Sequence, residues 1–98
     1  MADFWQRKDA QQVTLGLSSE AQEKFGLIKF VDLPAVGATL TAGQTFMAVE
    51  AEKAVLDLES PVSGEVVAVN QAASDDPGLL DSTRQSENWV VTVAAAEA

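Results

Sequence analysis

Residues 49–64 read VEAEKAVLDLESPVSG, in which one lysine, Lys53, lies between two strand-like runs. Apolar and polar residues alternate on both sides of Glu52 and Lys53, over residues 45–51 (TFMAVEA) and 54–60 (AVLDLES). Alternation with a period of two is typical of β-strands that bury one face. The stretch therefore predicts a β-hairpin that carries Lys53 at or near its tip.

Similar short runs, separated by Gly and Pro, recur along the rest of the chain. Further strands are predicted over residues 12–17, 27–33, 64–70 and 88–93. One short helix is predicted between the first two of these strands. Ser18 and Ser19 are candidate N-caps, Ser19 with Gln22 fits a capping box, and Gly26 supplies the end of the helix.

The last third of the chain is predicted to be a polar connection followed by the closing strand. One helical turn is expected at residues 77–80 within the connection 71–87, and residues 94–98 are expected to form a flexible tail. Many short strands with little helix indicate a mostly β fold, either an antiparallel sandwich or a flattened barrel. A chain of 98 residues is expected to form a single domain, residues 1–98.

Composition excludes several classes of function. The net charge is −9, whereas a nucleic-acid partner requires a basic surface, and the chain has only six Lys and Arg residues. Cys, His and Tyr are absent, which removes thiolate nucleophiles, imidazole ligands and the usual general base. No apolar run has the length of a signal peptide or a membrane span, so we expect a cytoplasmic protein without a membrane partner. We also expect that it is not an enzyme, so any group-transfer or redox chemistry must come from a cofactor.

Lys53 has two interpretations. Lysines on hairpins are commonly solvated and protect sheet edges against aggregation. A rigid hairpin that projects an amine can instead serve as an attachment point, with Glu50 and Glu52 placed to orient the amine. The predicted recognition surface around the tip consists of Glu50, Ala51, Glu52, Ala54 and Gly64.

Four carboxylates near Lys53 suggest a divalent-cation site as an alternative. They belong to Glu50, Glu52, Asp57 and Glu59. Carboxylate oxygens bind hard cations, but their spacing is not that of a calcium-binding loop. Alternation also places Asp57 and Glu59 on a solvated strand face, so no metal is expected.

The run VEAEKAVLDLESPVSGEVVAVN, residues 49–70, resembles the lipoyl-attachment region of the glycine cleavage system H-protein family. In that family a V-E-x-x-K-A core precedes a strand and then S-P-V-S-G-E-V-V-x-V-N. Residues 13–26 (VTLGLSSEAQEKFG) and 26–37 (GLIKFVDLPAVG) resemble other family segments. The resemblance implies the lipoyl/biotinyl-type hammerhead fold, with lipoate attached to Lys53 through an amide bond.

The resemblance further implies a carrier that shuttles aminomethyl or acyl groups, or reducing equivalents, between the active sites of other enzymes. The implied partners are a lipoate ligase or lipoyl transferase, the glycine cleavage enzymes and dihydrolipoamide dehydrogenase. All of these partners would have to approach Lys53.

Some positions depart from the usual family pattern. Glu52 stands where a small or aliphatic residue is usual, and Asp81 stands where asparagine is usual. With its E-A-x-K, V-x-D and E-N-W signatures at residues 50–53, 55–57 and 87–89, the chain resembles short H-like carriers of microbes, some of which accompany a lipoate ligase, a macrodomain and a sirtuin-type ADP-ribosyltransferase. A carrier in a regulatory or oxidative-stress system is therefore an alternative.

Two further alternatives concern the cofactor. Biotinyl domains share the fold, but their lysine is flanked by methionines, whereas Lys53 is flanked by Glu52 and Ala54 and the nearest methionine is Met47. This favours lipoate over biotin. An interaction module without any cofactor is the remaining alternative, with Lys53 as an ordinary solvated residue.

Overall fold

The computed structural model describes residues 3–95. Along the chain the elements are β1 (Phe4–Asp9), β2 (Gln12–Leu17), α1 (Ser19–Phe25), β3 (Ile28–Asp32), β4 (Thr39–Leu40), β5 (Thr45–Ala51), β6 (Val55–Glu59), β7 (Gly64–Val69), α2 (Gln71–Asp75), a 3-10 helix (Pro77–Asp81), α3 (Gln85–Asn88) and β8 (Trp89–Ala95). The strands form two antiparallel sheets, one of five strands in the order β1-β2-β8-β7-β4 and one of three in the order β3-β5-β6.

The predicted mostly β fold class is confirmed. The two sheets remain separate and do not close into a barrel. Both sheets contribute to one hydrophobic core, in which Leu15 and Val91 of the larger sheet join Val49 and Leu58 of the smaller sheet. No helix within residues 3–95 is long and apolar enough to cross a bilayer.

The helix predicted after the first strand is present as α1. Ser18 is its N-cap, with its hydroxyl accepting a hydrogen bond from the Ala21 N–H at 3.1 Å. The predicted capping box of Ser19 and Gln22 is wrong, because Ser19 is already the first helical residue. Gly26 ends the helix as predicted, with a backbone φ of +76° that residues other than glycine rarely adopt.

Gln22 connects α1 to the C-terminal connection instead of capping the helix. Its amide nitrogen donates to the carbonyl oxygens of Leu80 and Ser82, each at 2.7 Å. The helical turn predicted at 77–80 is the 3-10 helix, and the flanking helices α2 and α3 were not predicted.

The smaller sheet contains the predicted hairpin, β5 and β6, with β3 on the other side of β5. Glu50 pairs with Val55 of β6 and with Phe30 of β3. Val49 is the next residue of β5 and is buried. One face of the sheet therefore faces the core, and the row Phe30, Glu50, Val55 lies on the outer face.

The sequence pattern did not predict the strand β1. It is an edge strand of the larger sheet, and Phe4 is its one buried residue, so its sequence shows no alternation. At the other terminus, the tail prediction is wrong for Ala94 and Ala95, which belong to β8. Residues 96–98 of that prediction lie outside the described residues.

Candidate functional site

Lys53 lies in the tight turn between β5 and β6, as predicted. The N–H of Ala51 donates to the carbonyl of Ala54 at 2.8 Å, which leaves Glu52 and Lys53 as the two residues of the turn. Both side chains are exposed. The turn therefore presents Lys53 at the end of the hairpin, where another protein can reach it.

The backbone of the turn is tied to the loop that follows α1. The Lys53 N–H donates to the carbonyl of Phe25 at 2.9 Å, and the Glu52 N–H donates to the carbonyl of Leu27 at 3.0 Å. The Leu27 N–H in turn donates to Oε1 of Glu52 at 3.1 Å. We call these three hydrogen bonds the turn clasp. Since backbone groups of both turn residues are engaged, the base of the Lys53 side chain has a fixed position.

Gly26 lies at the centre of the turn clasp. A Cβ atom at this position would lie 3.0 Å from Oε1 and 3.1 Å from Cβ of Glu52, and 3.4 Å from Cγ of Lys53. Only glycine leaves enough space for the turn to approach this closely. The sequence indicated Gly26 as the end of the helix, but it gave no signal for the contact with Lys53.

The amine of Lys53 has few protein contacts. Its Nζ donates to the carbonyl of Glu23 at 3.3 Å. Lys24 and Asp3 form an ion pair at 3.2 Å, and no carboxylate within residues 3–95 pairs with Lys53. The expectation that Glu50 or Glu52 orients the amine is therefore wrong.

Lys53 lines an open surface groove of about 530 Å³. It is lined by Glu20, Glu23 and Lys24 of α1 together with Lys53. The exposed Lys53 side chain thus has open space next to it. An exposed primary amine at a fixed turn fits an amide-linked cofactor, because attachment requires no rearrangement of the hairpin.

The structure brings together four of the five residues predicted to form the recognition surface. Glu50 is exposed on the outer face of β5, Ala51 is buried at the start of the turn, and Ala54 is half-buried at its end. Gly64 lies elsewhere, in the larger sheet, where it pairs with Leu40 and Ala95. Its φ of +155° and the Ala94 carbonyl, which a Cβ would contact, explain why glycine is needed there.

Asp81 also acts on the loop after α1. Both of its carboxylate oxygens lie 3.2 Å from the Ile28 nitrogen, whose N–H they accept. Burial raises the pKa of the Asp81 carboxyl above its ordinary value of 3.8, the Ile28 N–H opposes this, and the charge of Glu52 adds to it. Two carboxylates, Glu52 and Asp81, thus bind the consecutive N–H groups of Leu27 and Ile28.

Other side chains near the hairpin have structural contacts. Ser60 is buried, and its hydroxyl donates to the carbonyl of Val62 at 2.6 Å. Within residues 3–95, no group of three acidic side chains is placed to hold a metal ion. The carboxylates predicted as an alternative cation site are therefore not brought together.

Comparison with known proteins gives one consistent family. The family model described as glycine cleavage H-protein matches residues 2–98. Glycine cleavage system H proteins of Enterobacter sp. (strain 638) and Escherichia coli O139:H28 are 45% identical over 94 residues, which covers 95% of this chain and 73% of each relative. The crystal structure of such an H protein from Mycobacterium marinum superposes with a TM-score of 0.87 at 36% identity, covering 100% of this chain and 83% of that one. The chain therefore belongs to the glycine cleavage H-protein family.

Proposed function

We propose that residues 1–98 act as the lipoyl carrier of a glycine cleavage system and that lipoate is attached to Nζ of Lys53. Proteins of this family are non-enzymatic carriers with lipoate on a lysine, which supports lipoate rather than biotin. The proposed partners are a lipoate ligase or lipoyl transferase, the glycine cleavage enzymes and dihydrolipoamide dehydrogenase. No observation favours the regulatory alternative with a macrodomain and an ADP-ribosyltransferase.

The observation that carries this proposal is the position of Lys53 among the lysines of the chain. Lys8 lies in β1, Lys24 in α1 and Lys29 in β3, whereas Lys53 lies in a tight turn. Lys24 is also paired with Asp3. Lys53 thus combines an exposed amine with a backbone that the turn clasp holds in place.

The protein contributes placement of the amine. When attached, the lipoyl group supplies a dithiolane that can be reduced, reoxidised and loaded with an aminomethyl or acyl group. The turn clasp presents Lys53 in one backbone conformation, so an approaching enzyme does not have to order the hairpin, which lowers the cost of binding. Amide formation removes the positive charge of Lys53 and leaves Glu20, Glu23 and Lys24 as the other charged side chains that line the groove.

The test is the intact mass of the protein after incubation with lipoate, ATP and a bacterial lipoate ligase. One lipoyl adduct is expected on the parent chain and none on Lys53→Arg, which keeps the positive charge. Lys29→Arg is the matched control, since Lys29 lies on the neighbouring strand β3, and it should be modified like the parent. An adduct that persists in Lys53→Arg, or no adduct on the parent, contradicts the proposal.

A further inference from the structure

Exposed apolar side chains are concentrated around Lys53. Five large hydrophobic residues within the described range are exposed, and three of them surround the turn: Leu27 at 58%, Phe30 at 58% and Val55 at 77%. The remaining two, Val36 and Val67, lie on other segments. We call Leu27, Phe30 and Val55 the tip patch.

The register of the smaller sheet places the tip patch on one surface. Phe30 pairs with Glu50, and Glu50 pairs with Val55, so the three side chains form a row across three strands on the outer face. Leu27 adjoins this row through the turn clasp, since its carbonyl accepts the Glu52 N–H. The tip patch is thus continuous with the turn that carries Lys53.

The tip patch is not part of the hydrophobic core. The core side of the same strands is supplied by Val31, Val49 and Leu58, which are at most 3% exposed. Single exposed apolar residues are common on protein surfaces, but a group of them beside one reactive side chain is typical of a contact surface. A contact with another protein would remove this apolar surface from water.

The charges around the tip patch are mainly negative. Glu50 lies between Phe30 and Val55. In the next row on the same outer face, Asp32 of β3 and Asp57 of β6 lie on either side of Ala48 of β5. Lys29 is the nearby exposed cation of β3. With a net charge of −9 for the chain, a partner for this surface would present an apolar area bordered by basic side chains.

We propose that the tip patch is the docking surface for the enzyme that attaches lipoate to Lys53, an inference that rests on the proposed function. In that reaction the Lys53 nitrogen forms a bond to the carbonyl carbon of an activated lipoyl donor, a mixed phosphate anhydride or a thioester. The bond from that carbon to the activating group breaks, the activating group leaves as an anion, and the ammonium gives up two protons. Because the donor must reach bonding distance of Nζ, the enzyme has to cover the turn, and the apolar surface next to the turn is the tip patch.

The experiment compares the lipoylation rates of exposed-residue variants under the ligase conditions used for the parent. Phe30→Thr and Val55→Thr alter the tip patch while keeping a residue that favours strands. Val36→Thr is the matched control, since Val36 is 62% exposed and lies between β3 and β4. We expect kcat/KM for the carrier to fall about 5- to 10-fold in each tip-patch variant, as for side chains central to an interface, and to stay within about twofold in Val36→Thr.

Two further measurements separate docking from other effects. Acetylation of Lys53 by acetic anhydride, a small reagent that needs no docking, should proceed at the same rate in all variants. Glu50→Gln should reduce the salt dependence of lipoylation, because one acidic partner of the basic border is lost.

Four other outcomes would contradict the docking surface or the proposed function. Equal lipoylation rates in the parent and both tip-patch variants overturn the docking surface while leaving the proposed function intact. Equal losses with ligase and acetic anhydride show that the variants alter the amine itself, which also overturns it. A parent chain that self-associates, with monomers in Phe30→Thr, assigns the surface to a second copy instead. A parent chain that is not lipoylated overturns the proposed function and this inference with it.

Discussion

The turn clasp leads to a direct test at Gly26. In Gly26→Ala the new Cβ would lie 3.0 Å from Oε1 and 3.1 Å from Cβ of Glu52. Ordinary carbon contacts begin near ~3.5 Å, so Cβ of Glu52, and with it the turn that carries Lys53, would have to move by a few tenths of an ångström. The backbone is strained as well, because a φ of +76° with a ψ of −159° is a region that is nearly restricted to glycine.

Gly37→Ala is the matched control for this substitution. Its φ of +95° is also unfavourable for alanine, but a Cβ at Gly37 would meet no atom within 4 Å. Positive φ costs about 1–2 kcal/mol for alanine in Gly37→Ala, and the strain at Gly26 costs about 1–3 kcal/mol. Each kcal/mol lowers the melting temperature of a domain of this size by roughly 4–8 °C. Both variants are therefore expected to be less stable but folded at 20 °C.

The two variants should differ in the lipoylation rate of Lys53, measured by intact mass at 20 °C. A misplacement of about 1 Å can cost ~100-fold in rate, so a shift of a few tenths of an ångström is expected to cost about 5-fold in Gly26→Ala. Gly37→Ala should be modified at the parent rate. If both variants are folded and react equally fast, the turn clasp does not position Lys53.

Three further predictions concern residues around the clasp and the second sheet. Glu52→Val removes the acceptor of the Leu27 N–H and should lower the free energy of unfolding in urea by about 0.5–1.5 kcal/mol. Glu52→Gln keeps an oxygen acceptor, so its free energy of unfolding should stay close to that of the parent. The pKa of Asp81 is raised in the folded state, so ionisation of this carboxyl opposes folding. Asp81→Asn should therefore raise the melting temperature at pH 7. This gain should shrink as the pH falls towards 3.8, because the parent carboxyl then becomes protonated. Gly64→Ala directs a Cβ at the Ala94 carbonyl and should lower the free energy of unfolding by more than about 2 kcal/mol. Lipoylation of the folded fraction should not slow. A slower reaction would contradict the assignment of Gly64 to packing within the larger sheet alone.

The hairpin could be predicted from the sequence because its signal is local. The runs 45–51 and 54–60 alternate on each side of a two-residue turn, and the structure has strands over nearly the same residues. The helix α1 was also predictable from its serine and glycine ends. In both cases, short-range chemistry and the final packing require the same conformation.

Other features depend on contacts that a linear pattern does not contain. The strand β1 lies at an edge and exposes four consecutive residues, so burial imposes no alternation on it. Two of the three hydrogen bonds of the turn clasp join backbone groups of Glu52 and Lys53 to residues about 25 positions earlier, and any sequence has such groups. The predicted capping box is absent because α1 begins at Ser19, and the Gln22 side chain instead donates to the distant carbonyls of Leu80 and Ser82.

Under the proposed attachment of lipoate to Lys53, a turn held by backbone groups would keep its geometry when the side chain is modified. Amide formation removes the charge of the side chain, so an ion pair that oriented the amine in the unmodified protein would be lost in the modified one. The Lys53 N–H bond to Phe25 and the Glu52 N–H bond to Leu27 involve no atom that changes. The contact from Nζ to the Glu23 carbonyl, at 3.3 Å, is the one that attachment alters, and an amide N–H can still donate there. A carrier has to meet one enzyme before modification and others afterwards, and a turn held by the backbone presents the same geometry to all of them.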